Sequence, residues 1–103
     1  MTSRKPLKIP EIDIGRWQAI SLLLSNDPWL LDFIFKADRS GLMADPKALI
    51  EASCSFSGGQ QLLIQIALHI WTDDGGLSLW DITHSLDEIR FEAFSLCLEA
   101  LRH

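Results

Sequence analysis

Apolar and polar residues alternate along this chain at helical spacing. Between Ile14 and Ser25 the polar positions Gln18, Ser21 and Ser25 recur on one side, while Trp17, Ile20 and Leu24 share another. That is the 3.6-residue period of an amphipathic helix, with Asp13 as its starting residue. Asn26-Asp27-Pro28 ends this helix and opens a second. Asp27 is of the type that caps a helix N-terminus, and Pro28 suits the first helical position, where its missing N–H costs nothing. The second helix carries Leu30, Leu31, Phe33, Ile34 and Phe35, with Asp32 and Lys36 four apart on its wet side. Asp38-Arg39-Ser40-Gly41 stops it. Asp45-Pro46 repeats the cap, and a shorter helix runs to about Ser53.

Ser57-Gly58-Gly59-Gln60 opens the fourth helix, and Ser57 and Gln60 have the spacing of a capping box. No Asp, Glu, Lys or Arg occurs from Ala52 to Thr72. Gln61, Gln65, His69 and Thr72 form one narrow polar stripe, and Leu62, Leu63, Ile64, Ile66, Leu68, Ile70 and Trp71 cover the rest. A helix apolar on most sides belongs at the centre of a fold. Thr72 to Gly76 reads as a turn. Leu77-Ser78-Leu79-Trp80 reads either as a short extended piece or as the start of a short helix capped by Ser78. Ser85 and Glu88 have capping-box spacing, so the last helix is expected from about Leu86 to Arg102. Its wet stripe is Glu88, Glu92, Ser95, Glu99 and Arg102. Ile89, Ala93, Leu96, Cys97 and Ala100 lie opposite, and Phe91, Phe94, Leu98 and Leu101 widen the apolar side.

The pattern predicts an all-α fold: one compact domain of about five helices around a central apolar helix, with the one open extended segment near 77–80. The boundaries it suggests are a basic N-terminal arm over residues 1–12 and a helical domain over 13–103. Composition agrees, with 103 residues, 48% of them hydrophobic and 22% charged. The net charge of −5 is unevenly distributed. Arg4, Lys5 and Lys8 make the first ten residues +3, whereas from Trp17 onward five basic residues face twelve acids, a balance of −7. An acidic body argues against nucleic acid, where phosphate neutralisation supplies most of the affinity. No apolar run approaches membrane-spanning length, and no apolar stretch follows the basic N-terminus as in a secretory signal. The expected location is therefore cytoplasmic. Cys54 and Cys97 are expected as buried reduced thiols, with a disulfide between them as the alternative.

Candidate chemistry is sparse. Cys54, His69, His84 and Cys97 could each ligate zinc, but they lack the close ligand pairs of structural sites, so no metal is expected. Asp73-Asp74-Gly75-Gly76 lacks the spaced oxygens and the distal Glu of a calcium loop. There is no G-x-S-x-G elbow, and no catalytic residue and no cofactor are assigned.

Phe56-Ser57-Gly58-Gly59-Gln60-Gln61, followed by an apolar helix, resembles the signature motif of ABC-type and SMC-type ATPases. There a serine and a helix N-terminus bind the γ-phosphate of ATP held by the opposite subunit. Extended further, the resemblance makes Leu77-Ser78-Leu79-Trp80-Asp81 a strand with a magnesium-binding acid, and Ser85-Leu86-Asp87 the loop after it. It spans the C-terminal half from Phe56. It implies anion binding by Ser57, Gly58, Gly59 and Gln60, acting in trans on a partner ATPase. The chain departs from the family where it lacks G-x-x-x-x-G-K-[ST] and where Ile82 takes the place of the catalytic Glu.

The aromatic content changes the picture most. Four Trp and five Phe occur without Tyr, and Trp17, Trp29, Trp71 and Trp80 fall one to a segment. A domain this small is hard pressed to bury all four, and exposed aromatic area marks interfaces. The sequence therefore points to a small protein–protein interaction module without catalysis, binding a protein partner or a second copy of itself. The four tryptophans are its candidate interface. Phosphate or nucleotide binding at Ser57–Gln60 is the alternative.

Overall fold

The structure is a computed structural model and describes residues 14–38, 40–72 and 77–102. Among these the chain is all-α. Six helices follow in order: α1 Ile14–Leu23, α2 Trp29–Ile34, α3 Pro46–Ala52, α4 Gly58–Thr72, α5 Leu79–Ser85 and α6 Glu88–Leu101. The expected arm over residues 1–12 and the turn from Asp73 to Gly76 lie outside the described residues.

The helix α4 is the hub. Leu62, Leu63, Ile64, Ile66, Ala67, Leu68 and Ile70 are all buried. Successive residues turn about 100° around a helix, so these positions cover about two thirds of its circumference. It packs against α1, α3 and α5. Gln61, Gln65 and His69 line the one half-buried stripe. Gln61 uses its amide there to tie down the preceding loop, donating from Nε2 to the carbonyls of Cys54 (3.0 Å) and Phe56 (2.9 Å). The core is completed by Ala19, Ile20, Leu23 and Leu24 of the first helix and its end, Leu30, Ile34 and Phe35, Leu49, Ile82, and Phe94 and Cys97. Trp17 and Trp71 both stand edge-on to Phe35, with centroids 5.2 and 5.1 Å away.

The expected five helices become six because Leu79–Ser85 is helical. Ser78 is extended and its hydroxyl accepts from the Asp81 N–H at 3.3 Å, which is the capped short helix rather than the extended piece. Local starts hold elsewhere too. Asp45 caps α3 by accepting from Ala48 N at 2.9 Å. Both halves of the Ser57–Gln60 box form, at 3.2 and 3.3 Å.

Several expectations are corrected. Asp27 does not cap α2: Pro28 holds the cap position without a side-chain bond, and the Asp27 carboxylate is turned to Arg90 instead. The second helix stops at Ile34, before Asp38. Phe35 pairs with Leu42 in a single antiparallel bridge, with Met43 N on Ile34 O at 2.8 Å, so the chain folds back there. The Ser85–Glu88 box does not start α6. Ser85 still belongs to α5, and Asp87 takes the cap position, accepting from Arg90 N at 2.8 Å. Cys54 is exposed, not buried; Cys97 is buried, and both are free thiols. On α6, Ala93 and Cys97 are buried as expected, but Ile89 and Leu96 face solvent. The burial arc of that helix is centred instead on Ala93, Phe94 and Cys97.

The helices α1 and α6 lie along one another. Asn26, just past the end of α1, donates to the Ile89 carbonyl near the start of α6 at 3.5 Å. The two helices therefore run antiparallel, and the corner after α1 meets the first turn of α6.

Candidate functional site

Two regions carry the polar and aromatic residues that the sequence singles out. The first is the start of α4. Ser57 and Gln60 bond each other's backbone N–H, and Gln60 has a further role: its Nε2 donates to Asp27 Oδ1 at 3.4 Å. Asp27 is buried and receives a two-point clamp from Arg90, Nε to Oδ2 and Nη2 to Oδ1, each at 2.7 Å. The remaining Arg90 nitrogen, Nη1, donates to Asp87 Oδ2 at 2.6 Å. One guanidinium thus joins the α1–α2 corner to the cap of α6, beside the first turn of α4. A β-carbon built on Gly59 meets Ser85 O at 3.5 Å and Arg90 Cδ at 4.0 Å, ordinary contact distances.

The electrostatics follow from that geometry. The Arg90 guanidinium bonded to Asp27 holds its carboxyl below the usual aspartate value, against the opposing effect of burial. The Arg90 backbone N–H does the same for Asp87, helped by the guanidinium. Arg90 is pushed the other way, further toward the charged form, first by its bond to Asp27. The site is therefore a fixed ion cluster. A helix N-terminus favours negative charge, and Asp27 supplies one from within the chain. Gly58 has nothing within 4 Å of a built β-carbon.

The second region is the surface of the last two helices. Sequence reasoning took the four tryptophans as one candidate set, and the structure divides them. Trp17 and Trp71 are half-buried against Phe35 and belong to the core. Trp29 is 47% exposed and packs edge-on to Phe56 at 5.2 Å, with Phe33 on the same ring at 5.0 Å. Trp80 is 70% exposed and stacks on His84 at 3.8 Å. His84 Nδ1 lies 2.8 Å from the Trp80 carbonyl, so the pair is held one turn apart along α5.

Sequence reasoning missed the other exposed apolar residues of the last two helices. Leu79, Ile89, Phe91, Leu96, Leu98 and Leu101 are all exposed, which concentrates the large exposed apolar side chains on α5 and α6. Their seven-residue spacing was visible, but period alone does not say which side of an apolar helix is covered. On α6 the rows Ile89–Leu96 and Phe91–Leu98 flank the buried arc, one on each side. The wet stripe Glu88, Glu92, Ser95, Glu99 and Arg102 is exposed as expected and points directly outward.

Among the described residues no three of His, Cys, Asp and Glu come together as a metal-binding group. Nor is any helix there long and apolar enough to cross a membrane. Asp81, which the ATPase resemblance places on a strand, sits in the first turn of α5. Comparison with protein-family models, with curated proteins and with solved structures finds no match.

Proposed function

We propose that the chain is a small protein–protein interaction module, an adaptor, inhibitor or complex subunit without catalysis of its own, which docks through α5 and α6. One observation carries this reading. The central helix buries all its aliphatic side chains, yet the last two helices leave Leu79, Trp80, Ile89, Leu96 and Leu98 open. Covering apolar surface stabilises by about 25 cal/mol per Å², and an exposed Trp beside aliphatic residues has the chemistry of an interface anchor. The acidic body suits a protein partner better than nucleic acid, and two free thiols suit a reducing compartment such as the cytoplasm.

Phosphate or nucleotide binding at Ser57–Gln60 has less support. The capping groups there are engaged with each other and with Asp27, whose carboxylate already supplies negative charge at that helix start.

The test is capture from an extract of the native cell, comparing the wild type with a Trp80→Ser/Leu96→Ser variant. Both residues are exposed, so the variant keeps its melting temperature. The reading expects a defined partner, or a second copy of the chain, to be retained by the wild type and lost by the variant. Equal retention by the two proteins overturns it.

A further inference from the structure

The two exposed apolar rows of α6 differ in what borders them. Ile89 and Leu96 are 63% and 53% exposed. Seven residues apart, they stand two turns apart on one side of the helix, about 10 Å along its axis. Positions three and four apart are neighbours on a helix surface. Glu92 is three after Ile89 and four before Leu96, and Glu99 is three after Leu96; both are exposed. Arg102 is bonded to Glu99 at 3.6 Å, at the far end. The opposite row, Phe91–Leu98, is bordered by Ser95 and Arg102 along its length and by a single acid, Glu88, at its start.

Resting on the interaction reading above, we infer that the Ile89–Leu96 row receives a basic amphipathic helix of a protein partner. Its apolar residues seat on Ile89 and Leu96, and its Lys or Arg side chains lie over Glu92 and Glu99. The two-turn spacing of the row is the spacing that a helix with apolar residues at i, i+3/i+4 and i+7 fits. Charge selects the occupant. A basic helix gains from the acidic edge, whereas two copies paired through this row would set Glu92 and Glu99 against their own counterparts, and like charge across an interface is unfavourable.

The probe is a labelled 18-residue peptide with leucines at heptad a and d positions and lysines on its other faces. Its counterpart carries glutamates in place of the lysines. Fluorescence anisotropy with the full chain reads binding. The lysine peptide is expected to bind, and the glutamate peptide is not. The Glu92→Lys/Glu99→Lys protein is expected to lose about tenfold or more in affinity for the lysine peptide, and the wild-type complex to weaken as salt rises. An Asp32→Lys/Glu51→Lys protein changes net charge equally at exposed sites on α2 and α3 and is expected to bind within about twofold of wild type. Leu96→Ser is expected to weaken binding without moving the melting temperature. Binding of both peptides alike, or equal loss from the two charge reversals, overturns the inference. Should Leu96→Ser abolish binding of both peptides while Glu92→Lys/Glu99→Lys leaves it intact, the basic partner fails and the interaction reading stands. Should neither variant matter, both fail.

Discussion

Asp27 and Arg90 are the residues on which the packing of the helices turns. Their carboxylate and guanidinium meet at two points of 2.7 Å, with the Asp27 side chain only 6% exposed. Removing Arg90 leaves the buried Asp27 carboxylate with only the longer bond from Gln60, and removing Asp27 leaves Arg90 with Asp87 alone. Arg90→Leu is expected to lower the free energy of unfolding by about 3 kcal/mol, toward the low end for a broken buried pair because Arg90 reaches the surface. Denaturant melts of Arg90→Leu, Asp27→Leu and the double variant test this. The double variant should lose less than the sum of the singles, since a charge left alone costs more than two charges removed. The same pair sets an acid limit. The folded-state pKa of Asp27 lies below its unfolded value, as does that of Asp87. Their stabilisation is therefore complete above the unfolded value and is lost as pH falls through the folded ones. Asp27→Asn should flatten the fall in melting temperature below about pH 4. The importance of Asp27 was half legible in the sequence. Its place before Pro28 marked a helix boundary, but its partner lies 63 residues away, where no local pattern points to it. Burial also separates the two cysteines, which the sequence could not. The Cys97 thiol is pushed up to about 11 by burial, while Cys54 lies open. Native protein at pH 8 should take up one alkylating group, at Cys54, and denatured protein two, as read by intact mass.

Helix α4 was the most legible element. Its charge-free run and its capping box are local features, and the structure has both. Boundaries governed by distant groups were less legible. The Ser85–Glu88 spacing was right for a box, but Asp87 takes the cap, and its carboxylate also reaches Arg90. The side of α6 that is buried was legible only to within a quarter turn, because that helix is apolar around most of its circumference and the position of α1 decides what is covered. The start of α4 offers a test between capping and ligand binding. Gly58 has open space where a β-carbon would go, so Gly58→Ala should raise stability by up to about 1 kcal/mol through helix propensity and a less flexible unfolded chain. Ser57→Ala should lower it by about 1 kcal/mol through loss of the cap. Thermal melts with and without ATP check both. A melting temperature raised by ATP in the wild type and not in Gly58→Ala would instead support a ligand that needs close backbone approach there.

At the scale of the molecule, the fold places its most apolar helix at the centre and its least covered helices, α5 and α6, at the end of the sequence. The all-α architecture was readable from periodicity because helix signals are local. The exposed apolar surface of α5 and α6 was not, because exposure is a property of the assembled fold. Trp17 and Trp71 have the same chemistry as Trp80 and yet serve the core, where both contact the Phe35 ring. The measurement that bears most directly on the interaction reading is hydrogen exchange on the free chain and on the complex it forms with its captured partner. Added protection is expected in α5 and α6, from Leu79 to Leu101, with α3 and the Ser57–Gln60 start unchanged. Protection confined to Ser57–Gln60, or none anywhere in α5 and α6, would contradict it.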